Sequence, residues 1–392
     1  MTQQATSTNP LFAHGTPPRF EEITPAHAKE AVPELLERAS VEFSAFEEAV
    51  EPTWDGIFGR LREIVEPLEF AWHVTGHLMG VQNSDELREV HEGLQPDVVE
   101  FFTRMGQSGA TYAALEALVG GEGWAELDAT RQRLVKKELL GMKLSGISLD
   151  GEAKGRFNEI QKELAELATG FSNAVLDSRK AYELVITDAA DAEGLPETMR
   201  QTAAASAQAA GHEDATPEAG PWRITLDGPS AGPFLMHSRN RAQREAVYRA
   251  LVTVASEGEH DNKPRIDRIL ALRREKAELL GYGTHAEISL ATKMAEDVSA
   301  VDQLTAELRD AAMPKARQDH ADLIEFARSE TGDPELGIDH WDVGFWAERM
   351  RETKYELSDE ELRPYFPFPK VLEGLFAVTK RLFDAEVVAA DG

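Results

Sequence analysis

Eleven histidines and no cysteine set the limits on the chemistry written into this sequence. Without a thiol there is no disulfide, no thiolate metal site and no cysteine nucleophile. One histidine pair has the one-turn spacing of helical metal ligands: His73 and His77, in WHVTGHLMG. A zinc hydrolase of the H-E-x-x-H type places a glutamate directly after the first histidine, as general base. Here that position is Val74. The pair shares a helical face with Arg62, Glu66 and Glu69, which reads as a solvated surface. His91-Glu92 is followed by Gly93, Leu94 and Gln95, and His212-Glu213 by Asp214, Ala215 and Thr216, so neither supplies a second histidine. Glu257, Glu259, His260 and Asp261 cluster in a polar loop but lack the alternating acid spacing of a calcium loop.

One string matches a catalytic expression. Gly228-Pro229-Ser230-Ala231-Gly232 fits the G-x-S-x-G nucleophile elbow and follows a strand-like segment. Pro229 presets a turn there, and Pro233 falls where the helix of an elbow would already be running. An elbow also needs a central strand of a large parallel sheet, and this sequence offers two short strand-like segments. A phosphate-binding loop of the G-x-x-x-x-G-K type and a dinucleotide fingerprint are both absent. The residues therefore assign no catalytic, cofactor-binding or metal-ligating group.

The elements that would position any site are helical. Thr24-Pro25 is a helix start, since proline at the first helical position forfeits no hydrogen bond. Val32, Leu35, Leu36, Ala39, Phe43, Phe46 and Val50 then fall on one face. Trp54, Ile57, Leu61, Ile64, Val65, Leu68 and Trp72 mark a second helix. Asn83 and Glu86 offer a capping box for a third, expected to bend or end near Pro96. Phe157, Ile160, Leu164, Leu167, Phe171 and Ala174 define a long helix over 152–178. YELVITD (182–188) and WRITLD (222–227) alternate and predict one small antiparallel β element, with a helical excursion from Pro196 to Ala210 between them. Helices are expected again over 238–255, 264–280, 285–295, 298–328 with a bend at Pro314, 342–351 and 370–383. The connector 361–369 holds three prolines.

The most self-consistent stretch runs from Ile266 to Glu296. Ile266, Ile269, Leu270, Ala277 and Leu280 form an apolar stripe, Gly281 suits a left-handed C-cap, and Thr284 with Glu287 reads as a capping box. Arg273 breaks the stripe, so its guanidinium is expected to find a carboxylate in a buried structural pair or to snorkel out.

These residues also carry a resemblance. LALRREKAELLGYGTHAEISLATKMAE is similar to a signature segment of the oligopeptidase A and thimet oligopeptidase family of zinc metallopeptidases. NPLF (9–12), TGHLMGVQNSDELRE, KLSGISLDGEAKGRFNEIQKELAELATGFSNAVLD (143–177) and KYELSDEELRPYFP resemble further family landmarks, in family order. The resemblance implies a mainly α fold, a multi-helix bundle forming one wall of a peptide channel, with a small β element near 182–188 and 221–227. It implies a zinc-dependent enzyme that hydrolyses short peptides, with zinc in the complete family enzyme. It supplies no H-E-x-x-H on any residue here, so this chain alone is expected to hold no zinc and to be inactive. Three readings follow: the N-terminal part of an oligopeptidase cut short, one half of a split enzyme assembling with a catalytic half in cis or trans, or a non-catalytic peptide-binding module.

Composition agrees with a folded chain: 392 residues, 42% apolar and 28% charged. A formal net charge of −29 repels phosphate backbones, so nucleic acid is not an expected partner. Neither a signal-peptide pattern nor a membrane-length apolar run is present, which predicts a cytoplasmic protein without membrane association. The expected regions are an irregular lead-in (1–23), an N-terminal helical region (24–180), the β element with its helical excursion (181–232), and a helical region (233–392) ending at the junction to the catalytic region.

Overall fold

The computed structural model describes residues 9–356 and 359–389. In chain order the elements are α1 (Pro25–Ala49), α2 (Arg60–Val81), α3 (Asp85–Gly106), α4 (Gly109–Gly120), α5 (Ala129–Leu144) and α6 (Gly151–Ala181). There follow β1 (Leu184–Ile186), α7 (Glu197–Ala209), β2 (Trp222–Ile224), α8 (Gly228–His237), α9 (Arg241–Val252) and α10 (Lys263–Leu279). The last are α11 (His285–Leu290), α12 (Val298–Thr331), α13 (His340–Tyr355), α14 (Asp359–Leu362) and α15 (Phe368–Phe383). The fold is mainly α, and the two expected strands pair antiparallel, with Leu184 opposite Ile224 and Ile186 opposite Trp222. Two compact units divide the chain: 9–170 with 265–302, and 171–264 with 303–389. The chain passes from one unit to the other within α6, α10 and α12, at 170–171, 264–265 and 302–303.

In the first unit Asn9 caps a short turn by accepting from the Leu11 amide at 3.0 Å, which seats Leu11 in the core. The stripes foreseen on α1 and α2 meet there, with Val32, Leu35, Phe43, Ile64 and Leu68 all buried, and α3 adds the buried Phe101. Helix α3 starts one residue later than the Asn83 box suggested. Ser84 accepts from the Leu87 amide at 3.2 Å, while Asn83 binds back to the Met79 carbonyl and to Arg88. It runs through Pro96 to Gly106, and α12 likewise runs through Pro314. One proline costs one ladder bond, and packing or helix length on either side outweighs it.

The Ile266–Glu296 stretch keeps its caps and only part of its stripe. Gly281 adopts φ +76°, and Thr284 Oγ accepts from the Glu287 amide at 3.3 Å. The Glu287 carboxylate accepts from the Gly283 amide at 3.0 Å, one residue before the cap. Inside α10, however, Leu272 and Ala277 are the fully buried residues, whereas Ile266 and Leu270 are exposed. Arg273 lies on the exposed side and makes no pair with a carboxylate among the described residues, so the buried-pair expectation is corrected. The face was misjudged because α10 presents other residues to α6. Arg156 binds Glu275 through two nitrogens at 2.6 and 2.8 Å, Arg268 pairs with Glu163, and Lys276 donates to Gln161 at 2.7 Å.

The second unit is built on the hairpin. Ile186, Trp222, Ile224, Phe234 and Val247 form its core with the alanine face of α7. Gly220 sits at φ +72°, and an added Cβ would lie 2.8 Å from the Trp222 ring, so only glycine lets the indole close over the turn. The helix expected over 238–255 is α9, shorter at both ends, and α8 precedes it as a separate helix. Ser238–Arg239 breaks the run, and Asn240 caps α9 by accepting from the Gln243 amide at 3.1 Å. Helices α9 and α13 are joined by Arg244, whose guanidinium reaches Asp342 at 2.7 Å, with both side chains buried.

Helix α15 follows a short turn at Arg363–Tyr365. Phe368, Val371, Leu375, Val378 and Leu382 recur along it at helical spacing, and each is exposed. No helix is long and apolar enough to cross a membrane among the described residues.

Candidate functional site

The titratable groups singled out in the sequence are not brought together. His73 and His77 both lie on the exposed face of α2, beside the Arg62–Glu66 pair, and the His77 ring packs against Phe20. His91 is buried and stacks on Trp72, with ring centroids 4.4 Å apart. His212 and Glu213 are exposed in a turn, and His260 contacts only its neighbour Glu259 among the acids of its loop. Ser230 is no elbow nucleophile. It lies in the first turn of α8, where its hydroxyl accepts from the Thr225 amide at 3.0 Å, and the sheet has two strands. Pro229 sits in the first turn of α8 and Pro233 inside it, so the helix does form across the position where Pro233 was expected to prevent one.

A grouping that sequence reasoning missed lies in the second unit. A cavity of about 530 Å³ is walled by Met199, Pro233 and Met236 and closed at one end by polar side chains from α8 and α13. Its polar end holds His237, Glu348 and Glu352, each with a ligand-type atom within 4.8 Å of the others. Four-residue spacing on α13 places the two carboxylates one turn apart on one face. That E-x-x-x-E spacing was legible in the sequence, but nothing local tied it to a histidine 111 residues earlier.

Several contacts fix the geometry. Ser238, directly after His237, gives its carbonyl to Arg244 at 2.8 Å, which pins the end of α8 to the buried Arg244–Asp342 pair. Gly194 at φ +90° passes so close that a Cβ there would lie 2.6 Å from the His237 carbonyl oxygen. Arg349 donates from Nε to Glu352 at 2.8 Å and from Nη2 to His237 Nδ1 at 3.2 Å. In that contact Nδ1 accepts, which leaves the imidazole proton on Nε2. Arg351 donates to Glu348 Oε1 at 2.6 Å, so the nearly buried carboxylate is neutralised.

Electrostatics elsewhere are structural. Burial pushes the Asp342 carboxyl upward, but hydrogen bonds from Arg241 and Arg244 outweigh it and hold the group below the usual carboxylate range. Burial lowers the His91 imidazole. Burial and the neighbouring Arg273 and Lys276 charges lower His285.

The zinc chemistry expected from the family resemblance needs two histidines and a glutamate on one helix. The sequence contains no H-E-x-x-H, and its one histidine pair at ligand spacing has Val74 in the glutamate's place. The residues present therefore do not fit that metal centre.

Comparison with known proteins gives a consistent answer along the chain. The profile of peptidase family M3 matches residues 234–392, and that of the neurolysin/thimet oligopeptidase N-terminal domain matches residues 32–154. A probable cytosolic oligopeptidase A of Arabidopsis thaliana is 43% identical over 391 residues, covering 100% of this chain and 56% of the relative. Oligopeptidase A of Haemophilus influenzae is 37% identical, covering 98% of this chain and 56% of that protein. The Escherichia coli oligopeptidase A is also 37% identical, over 96% and 55% respectively. The chain thus spans a little over half the length of these curated relatives.

Proposed function

The chain belongs to the oligopeptidase A/thimet oligopeptidase family, within peptidase family M3, and from that premise we propose that it supplies the helical scaffold of a zinc-dependent oligopeptidase acting on short peptides. The zinc ligands and the general base come from residues outside the sequence given, on the same polypeptide or on a second one. The observation that carries this reading is family similarity along the whole chain in the absence of any H-E-x-x-H.

The α15 surface supports it. A helix whose Phe368, Val371, Leu375, Val378 and Leu382 all face water places a continuous apolar stripe where water gains nothing from it. Such a stripe suits a large protein partner surface. The scaffold alone then hydrolyses no peptide, since its sequence carries no H-E-x-x-H, the motif that in this family holds the zinc and supplies the general base. A cytoplasmic location fits the same proposal.

A second reading, a peptide-binding module without hydrolysis, is favoured by the polar cleft of about 650 Å³ in the first unit, which Arg104, Lys154, Lys162, Glu47 and Glu100 line. Two assays on the purified chain separate the readings. Hydrolysis of an internally quenched peptide tests for activity, and fluorescence anisotropy of the same labelled peptide tests for binding. No turnover and no binding by the chain alone supports the scaffold reading; saturable binding without turnover favours the module.

A further inference from the structure

We propose that His237, Glu348 and Glu352 form a divalent-cation site, with Zn²⁺ the best-fitting occupant, and that Arg349 and the cation are alternative partners of the same two side chains. The inference does not depend on the peptidase reading, because it is argued from the placement of these side chains and not from the H-E-x-x-H chemistry of the family.

The donor set is one imidazole nitrogen and two carboxylates. That mixture suits zinc and neighbouring first-row ions rather than calcium or magnesium, which take oxygen shells. Metal–ligand distances of about 2.0–2.2 Å in a tetrahedron put donors about 3.4 Å apart. The three donor atoms lie within 4.8 Å of one another, so each side chain has a short distance to close. The freedom to close exists where it is needed: the Arg349 and Glu352 side chains are 23% and 37% exposed. The adjoining cavity of about 530 Å³ leaves room for a water in the remaining coordination position.

The frame behind the donors is rigid. His237 ends α8, and the Ser238–Arg244–Asp342 chain of hydrogen bonds anchors that end. Glu348 is 4% exposed and tied to Arg351, which fixes its direction on α13. Held groups outside the ligand set are what orient ligands in metal sites.

Arg349 explains how such a donor set stays folded without a metal. Its guanidinium bonds both oxygens of Glu352, at 2.8 and 3.3 Å, and contacts His237 Nδ1 at 3.2 Å. A cation must displace that guanidinium from His237 and Glu352, and the arginine has a solvent-facing route out. Arg349 therefore weakens metal binding, and its removal strengthens it.

The test is Zn²⁺ binding by the full chain, followed by equilibrium dialysis and by the shift in thermal midpoint, in a His73→Gln background that removes the exposed His73/His77 pair. The account expects one Zn²⁺ per chain and a zinc-dependent rise in midpoint. Glu352→Gln and His237→Gln each weaken binding at least about tenfold, and Arg349→Met tightens it. Glu352 is partly exposed, so Glu352→Gln is informative even if His237→Gln folds poorly. Absence of 1:1 binding in the His73→Gln chain overturns the proposal. So does affinity unchanged by Glu352→Gln in a variant with the parent's circular dichroism.

Discussion

Arg244 and Asp342 are joined by a 2.7 Å hydrogen bond in the interior of the second unit, the arginine 3% exposed and the aspartate 1%. The same guanidinium reaches the carbonyls of Ser238 and Trp341 and lies 4.2 Å from the centre of the Phe345 ring. Arg241 approaches the same carboxylate from the partly exposed side. The pair fixes α9 against α13 and, through Ser238, the end of α8 that presents His237.

Removing one partner strands a buried charge, so Arg244→Met or Asp342→Leu alone is expected to cost about 3–5 kcal/mol in the unfolding transition of this unit. The double variant should recover much of that loss, because two apolar groups replace two satisfied charges. Urea denaturation of the three variants measures it. Equal losses in the single and double variants would show that the pair does not act as a unit.

The same carboxylate sets a pH dependence. The folded-state value of Asp342 lies below the unfolded one, so its contribution is full above the unfolded value of about 3.9 and disappears as pH falls through the folded value. Acid titration of stability should therefore be steeper below pH 4 in the parent than in the double variant. Parallel curves would remove the carboxylate from the account.

His91 acts in the opposite range. Burial against Trp72 lowers its imidazole, so the unfolded chain takes up the proton first. Stability from keeping it neutral is complete above about pH 6.5 and falls as pH drops below that value. His91→Phe keeps an aromatic ring on Trp72 and removes the proton site. The stability difference between parent and variant should grow from pH 5 to 7 and then level off; a difference independent of pH would contradict the assignment.

Arg273 carries a small expectation. Being exposed and near Lys276 and His285 rather than a carboxylate, it should be replaceable by alanine within about 0.5 kcal/mol. A loss of about 3 kcal/mol or more would restore the buried pair that the sequence suggested.

Much of the fold was legible because its signals are local. The Thr24-Pro25 start, Gly281 in the left-handed region and the Leu184–Ile186 and Trp222–Ile224 alternation each depend on a few adjacent residues. What the sequence misplaced depends on partners far away. Which face of α10 turns inward goes with its partners on α6: Lys276 lies over the Phe157 ring and donates to Gln161, and Arg268 pairs with Glu163, so Leu272 is buried and Leu270 is exposed. The apolar stripe of α15 was readable as a stripe, but its exposure is a property of what packs against it. The His237–Glu348–Glu352 grouping was invisible for the same reason: a histidine and two glutamates on separate helices acquire meaning only when α8 lies along α13.

The α15 stripe yields a test of its own. Leu375→Glu with Val378→Lys should leave thermal stability of the chain unchanged while reducing binding of a hydrophobic dye and any self-association. A marked loss of stability would show that the stripe already packs within the chain.

The central claim is that these residues build the scaffold of a peptidase whose catalytic centre lies in residues outside this sequence. The most direct measurement is turnover of an internally quenched peptide by the purified chain, alone and mixed with a separately produced M3 segment that carries H-E-x-x-H and shows no activity by itself. The account predicts no turnover by the chain, and turnover by the mixture that a chelator abolishes. Chelator-sensitive turnover by the chain alone, persisting at constant specific activity through successive purification steps, would contradict it.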